Sequence, residues 1–162
     1  MNAEFIQLLL LIIIANGAPV LVRIIFGDYL NTPVDLGFTL PDNHPVFGSS
    51  KTWRGIFAAL LMTSIAASLM NHPFITGFLI ASYAVAGDLS SSFIKRRFSM
   101  APSSKAPILD QVPESLLPAF MMMRTFDLEL SSVLWLSVVF LIIDMAMTYI
   151  LYHWKVLKKS SG

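Results

Sequence analysis

The segment Gly87-Asp88-Leu89-Ser90-Ser91-Ser92-Phe93-Ile94-Lys95-Arg96-Arg97 places an aspartate, a serine and a lysine at positions 88, 92 and 95. On a helix those positions form one stripe. Apolar residues run through 74–86, so Asp88 falls about two turns inside the helix. An ionised carboxylate at that depth is costly and marks a functional group or a compensated pair. An Asp88–Lys95 contact that only neutralises both is the competing explanation. A second acidic group, Asp110 and Glu114, stands at the start of a later apolar stretch with the spacing of a shared helix face. A carboxylate at a helix start is also favoured by the macrodipole, which is the plainer reading of either residue. Taken together, Asp88 and Asp110 offer hard oxygen ligands from two helices. That suits Mg²⁺, which takes one or two carboxylates and completes its shell with water and phosphate.

The third element, Phe47-Gly48-Ser49-Ser50-Lys51-Thr52-Trp53-Arg54-Gly55, supplies the complementary chemistry. Flexible glycine, hydroxyls, a lysine and free amides at a helix start favour phosphate. The likeness to a P-loop is superficial, because Asn43 stands where the upstream glycine belongs and no strand precedes it. The structural alternative is an N-cap followed by interfacial anchors, with Trp53 at headgroup level. No Ser/His/Asp set suggests itself, and with no cysteine there is neither a thiol nucleophile nor a disulfide framework. His44, His72 and His153 have no ligand spacing. Asp144 sits inside an apolar stretch with no obvious partner, and Met121-Met122-Met123 reads as packing or lipid-facing. Asn16, Gly17 and Pro19 are expected to break or kink the first helix.

These groups must be held by membrane helices. The chain has 162 residues, 56% of them hydrophobic and 13% charged, with a mean hydropathy of +0.70. A soluble domain carries about 25% charged residues, and so much apolar surface cannot be hidden in one compact domain. The expected fold is an all-α integral membrane protein, one domain over 1–162, with about five transmembrane helices near 4–26, 55–71, 74–94, 108–125 and 131–153. Pro113, Glu114 and Pro118 make the fourth the weakest. The first apolar run is too long, and lacks the basic flank, for a cleaved signal peptide. Two long polar stretches, 27–54 and 95–107, fall on the same side as the C-terminus. That side carries Arg23, Lys51, Arg54, Lys95, Arg96, Arg97, Lys105, Lys155, Lys158 and Lys159, against Arg124 alone on the other. The asymmetry puts the loops and C-terminus in the cytoplasm and the N-terminus outside. Basic loops that only set topology and touch anionic lipid are the simpler account.

Carboxylates for a cation, beside bases and hydroxyls for phosphate, fit phosphoryl-type transfer, which needs mainly positioning and charge neutralisation. A lipid phosphomonoester, with a second pKa of about 6, is largely ionised at neutral pH and attacks without a dedicated base. At this point three segments, Ala15-Asn16-Gly17-Ala18-Pro19, Gly48 through Gly55 and Gly87-Asp88 through Arg97, resemble the CDP-archaeol synthase family, relatives of the phosphatidate cytidylyltransferases. The similarity extends to the five-helix hydropathy and to Asp110-Gln111, and Pro33, Asp35 and Gly37 match the first-loop pattern.

The resemblance implies a Mg²⁺-dependent transferase for CTP and a membrane lipid phosphate. The lipid would be an unsaturated archaetidic acid, 2,3-bis-O-geranylgeranylglycerol phosphate, and the products a CDP-lipid and pyrophosphate. It makes Asp88, Asp110 and Lys95 the catalytic candidates, and Asp88, Asp110 and, as a further candidate, Glu114 the metal ligands. Ser50, Lys51, Thr52, Arg54, Ser92, Arg96 and Arg97 become contacts for the phosphates of CTP or lipid. The implied partners are CTP, the lipid phosphate and the bilayer, with no nucleic acid, at the inner or plasma membrane. The chain departs from the family at Leu36, where the first loop has Asp-Gly-Gly, and at Asn43, where it has Asp-Gly. It departs again at Pro113, where a second aspartate follows three residues after Asp110. These changes leave room for a diacyl phosphatidate as substrate. Two non-enzymatic readings compete, a small transporter and a lipid-binding adaptor. Transporters show polar breaks in both halves, whereas here the charges gather at one end. The Asp-Gly-x-x-Ala-Arg pattern of CDP-alcohol phosphotransferases is missing.

Overall fold

The computed structural model describes residues 2–101, 104 and 106–160. Lys105 lies outside the described residues, as do the side chains of His153, Lys155, Lys158 and Lys159. Five helices account for most of the described chain: α1 (Ala3–Phe26), α2 (Trp53–Leu69), α3 (Phe74–Arg97), α4 (Pro107–Met121) and α5 (Leu130–Ser160). There is no strand among the described residues, only isolated bridges between Pro33 and Thr52 and between Thr39 and Pro45. Three helices are long and apolar enough to cross a membrane, α1, α3 and the Leu130–Ile150 part of α5. At 1.5 Å per residue, α1 and α3 each reach about 36 Å and α2 about 25 Å. By the same criteria α2 is a shorter apolar helix and α4 does not qualify, so of the five expected spans all five appear as helices and three as candidate spans among the described residues.

The boundaries have local causes. The Thr52 hydroxyl accepts the Gly55 amide (3.2 Å) and starts α2. Asn71 takes a left-handed conformation (φ 64°) that ends it. Pro73 then precedes α3. The third helix runs through Arg97, so Lys95, Arg96 and Arg97 occupy its last turn and not a loop. Asn16, Gly17 and Pro19 do not break α1, which runs on through Pro19 to Phe26. The Asn16 amide donates back to the Ile12 carbonyl (3.0 Å), and Pro19 meets α2 at Gly55, where an added Cβ would stand 3.1 Å from the Pro19 Cβ. The fourth helix stops at Met121, short of the expected residue 125. The chain turns back there to bury Met122 and Phe126, whose ring lies 4.8 Å from that of His72. The methionine run is thereby split, with Met122 in the core and Met121 outward.

Helix α3 packs on both α2 and α4, α1 covers α2 and α3, and α5 backs α4. The large buried side chains cluster towards the end where α1 begins: Leu8, Leu11 and Ile12 of α1 meet Ile80, Phe126, Leu136 and Phe140. Towards the other end the interfaces narrow to small residues, Ala15, Ala81 and Ala84. Gly77 lies on the α2 backbone at Thr63 and Ser64, and Gly87 lies on the α4 backbone at Pro113 and Glu114. Close approach of this kind is how helices associate in lipid, where no hydrophobic force drives them together. It brings the polar ends of α2, α3 and α4 within side-chain reach of one another.

Candidate active site

The site begins with the 27–52 connection, which is folded back on itself. Val34 and Trp53 amides donate to the Lys51 and Thr32 carbonyls (2.8 and 3.1 Å), closing its two ends together. Arg54 donates to the Gly27 carbonyl (3.0 Å) and to that of Tyr29, joining the end of α1 to the start of α2. The carboxylate of Asp35 accepts the amides of Gly48 (2.7 Å), Phe47 (2.9 Å) and Gly37 (3.1 Å). Partial burial pushes this carboxyl up, but the amide donors together hold it below the usual aspartate range. The amides at Phe47 and Gly48 are therefore committed to Asp35 and are not free for a phosphate. What the fold presents instead is the Lys51 side chain, aimed at α3.

Lys51 pairs with Asp88, not with a group on its own segment. Asp88 in turn lies within electrostatic range of the carboxyl of Glu114, which comes from α4 across the Gly87 contact. Two helical turns beyond Asp88, and one beyond Ser92, Lys95 lies buried with its Nζ 2.6 Å from Asp110 and 3.3 Å from the Ser104 carbonyl. The other Asp110 oxygen accepts the Ala106 amide (3.1 Å) at the start of α4. Arg96 is buried and donates through one Nη to the Ala101 carbonyl (2.9 Å), within the field of Asp110. Its Nε and other Nη have no hydrogen-bond partner among the described residues. The competing explanation, an Asp88–Lys95 neutralisation, does not hold. Each lysine bridges to a different helix, because the close α3–α4 packing sets Asp110 opposite Lys95 and the folded loop sets Lys51 opposite Asp88.

Other candidates have different occupations. Arg97 pairs with Asp42, donates to the carbonyls of Pro45 (2.6 Å) and His44 (3.3 Å), and lies 5.0 Å above the Phe93 ring. Asp42 is lowered first by the His44 amide and then by Arg97. Thr52 is the α2 cap and Arg54 the α1–α2 clamp. Ser92 is buried beside Asp88 and Ser50 half-buried beside Lys51, neither with a hydrogen-bond partner among the described residues. Of the residues singled out beforehand, Lys51, Asp88, Ser92, Lys95, Arg96, Asp110 and Glu114 converge, while Thr52, Arg54 and Arg97 hold the surrounding loops.

Three acidic residues had no role assigned from sequence. Asp35 organises the first loop and Asp42 fastens it to the end of α3, and the short Asp-x-Gly and Asp-Asn turn signals were their only trace. Asp144, which looked partnerless, accepts the side-chain amide of Gln111, so α5 holds the residue next to Asp110.

A profile of the CarS-like family, described as CDP-archaeol synthase, matches residues 3–159. The CDP-archaeol synthase of Hyperthermus butylicus is 38% identical over 104 residues, covering 60% of this chain and 59% of that protein. That of Pyrococcus furiosus is 37% identical over 107 residues, 60% of each. The chain thus spans about 60% of the length of these relatives. That of Sulfolobus acidocaldarius is 27% identical over 151 residues, 89% of this chain and 88% of the relative. A solved structure described as an intramembrane enzyme for archaeal membrane lipids biosynthesis superposes with a TM-score of 0.74 at 28% identity, over 89% of this chain and 92% of that one. A superposition over most of the chain and a family match over nearly its whole length mark a multi-pass membrane protein that belongs to the CarS-like, CDP-archaeol synthase family.

Proposed function

We propose that this chain is a CTP-dependent cytidylyltransferase of the membrane, transferring a cytidylyl group to an isoprenoid glycerol phosphate. One observation carries the reading: Lys51 of the first loop, Asp88, Lys95 and Arg96 of α3, and Asp110 and Glu114 of α4 meet at a single end of the bundle. An adaptor that only touches anionic lipid has no use for half-buried carboxylates set inside the bundle there. The basic residues on that end favour a cytoplasmic site, where CTP is found.

The donor set suits Mg²⁺. No group of three or more carboxylates or histidines closes into a cation cage among the described residues. Asp88 and Glu114 are nevertheless an interacting carboxylate pair, and Mg²⁺ prefers one or two carboxylates with water and substrate phosphate completing its shell. Glu114 takes the part of the aspartate that Pro113 replaces, since one further residue along α4 brings a carboxyl to Asp88. When bound, the cation supplies neutralisation of the triphosphate charge.

The protein's own groups do the rest. Lys51 and Lys95 contact the triphosphate, and the unpartnered nitrogens of Arg96 donate to a phosphate oxygen, restoring hydrogen bonds the buried guanidinium now lacks. Held in line, an oxygen of the ionised lipid phosphate attacks the α-phosphorus of CTP. A new P–O bond forms, the bond to the β-phosphate bridging oxygen breaks, and pyrophosphate leaves with the electron pair. Asp35 and Asp42 act at one remove, by fixing the loop that carries Lys51.

The purified protein is given labelled CTP, Mg²⁺ and either the isoprenoid ether phosphate or a diacyl phosphatidate. CDP-lipid is expected with the former, and Asp88→Asn or Asp110→Asn is expected to reduce the rate by a hundredfold or more, on the order of the loss of one charge-stabilising group. Turnover of the diacyl lipid alone would reassign the substrate. No product with either would return the chain to transport or scaffolding.

A further inference from the structure

The first loop carries a feature the reaction does not use. Leu30 and Leu36 both adopt the left-handed region, at φ 55° and 50°, which strongly disfavours a side chain. Both are also turned outward, 65% and 75% exposed, followed by Phe38 at 63%. Backbone strain and an exposed apolar side chain are each unfavourable in water, and here they coincide twice within seven residues. The arrangement is not slack. The Phe38 amide donates to the Asp35 carbonyl (2.7 Å) and the Leu36 amide to that of Pro33 (3.2 Å). Asp35 locks the same turn to Phe47 and Gly48. The turn is thus built to hold Leu36 out.

We infer that the 28–38 segment is an interfacial anchor, lying along the leaflet at which α1 ends with Leu30, Leu36 and Phe38 inserted among the lipids. Lipid is the occupant that the attachment of the segment dictates. It starts two residues after α1, an apolar membrane-spanning helix, and its middle is bonded to residues 51–53 at the start of α2. Its level is therefore that of two helix ends at one face of the bilayer. Trp53, whose ring neighbours Phe57 (6.2 Å between centroids), marks the same level, where indoles settle. The inference does not depend on the reaction proposed above.

The chain has no cysteine, so single nitroxide labels can be placed without a background. The full chain, labelled after Leu30→Cys, Leu36→Cys, Phe38→Cys or, as a reference on the polar turn, Asn43→Cys, is reconstituted in vesicles containing anionic lipid. Collision with oxygen and with a water-soluble nickel chelate is then measured by power saturation. Labels at 30, 36 and 38 are expected to favour oxygen, with nickel accessibility several-fold below that at 43. Nickel accessibility equal to that at 43 overturns the inference. Shielding from both reagents also overturns it, since protein and not lipid would then cover the segment. Phe38 has an ordinary backbone conformation, so its label decides the matter alone if the variants at 30 and 36 do not fold.

Discussion

Leu36 occupies the first of two consecutive positive-φ positions, Leu36 and Gly37 (79°), between an Asp35 carbonyl and a Phe38 amide that bond across the turn. That is the pattern of a type I′ turn, which glycine fits and leucine does not. Leu36→Gly is therefore expected to raise stability by about 1–2 kcal/mol, read as thermal unfolding in one fixed detergent. Asn43 (φ 62°) is the milder departure, because asparagine tolerates this region. The two departures from the family's glycines thus preserve the turns and say nothing against activity. Asp35→Asn should have the opposite sign, losing about 1–3 kcal/mol as charge-assisted bonds to Gly48 and Phe47 weaken. Its carboxyl is lowered in the folded state, so its contribution is present above the usual aspartate range and fades as pH falls through the lowered value. Unfolding measured from pH 7 downward should show the wild type converging on Asp35→Asn. At this scale the sequence was partly legible. Asp88, Asp110 and the lysines stood out because charge is rare in apolar helices. Asp35 did not, because an aspartate in a polar loop has many ordinary uses.

Among the elements, α3 is the one on which the site turns. Gly87 sits where any Cβ would be driven into the Pro113 carbonyl, and the contact sets Asp88 against Glu114. Gly87→Ala should lower stability by about 1–3 kcal/mol through overpacking, and lower turnover further, since α4 must move away and take both its carboxylates along. Gly17 is the control, having open space around its Cβ position. There, Gly17→Ala should be neutral or stabilising by up to about 1 kcal/mol, by the same unfolding measurement. Helix existence and order were legible from hydropathy, because lipid demands long apolar runs. Two boundaries were not. The end of α4 depends on Phe126 finding the core beside His72, and the seating of Pro19 of α1 against α2 depends on Gly55 of that helix. Those are tertiary contacts with no local signature.

Across the whole molecule, polarity is graded, with bulky apolar packing at the end where α1 begins and charge at the other. The cytoplasmic placement of the charged end can be tested in intact cells with a membrane-impermeant maleimide. A cysteine replacing exposed Thr125, between α4 and α5, should react from outside, and one replacing exposed Ser49 only after the cells are opened. The reverse pattern would invert the topology. The direction of the gradient was readable from the sequence, but its wiring was not, because which lysine meets which aspartate is decided by the α3–α4 approach and the folded loop. That wiring has an electrical consequence. With Lys51 already matched to Asp88 and Lys95 to Asp110, a polyanion arriving alone would strip both aspartates of their counter-charges, and a divalent cation arriving alone at Asp88 and Glu114 would do the same to Lys51. Only the joint arrival of both leaves no group stranded, so nucleotide and cation are expected to bind as a neutralised pair, each raising the other's affinity.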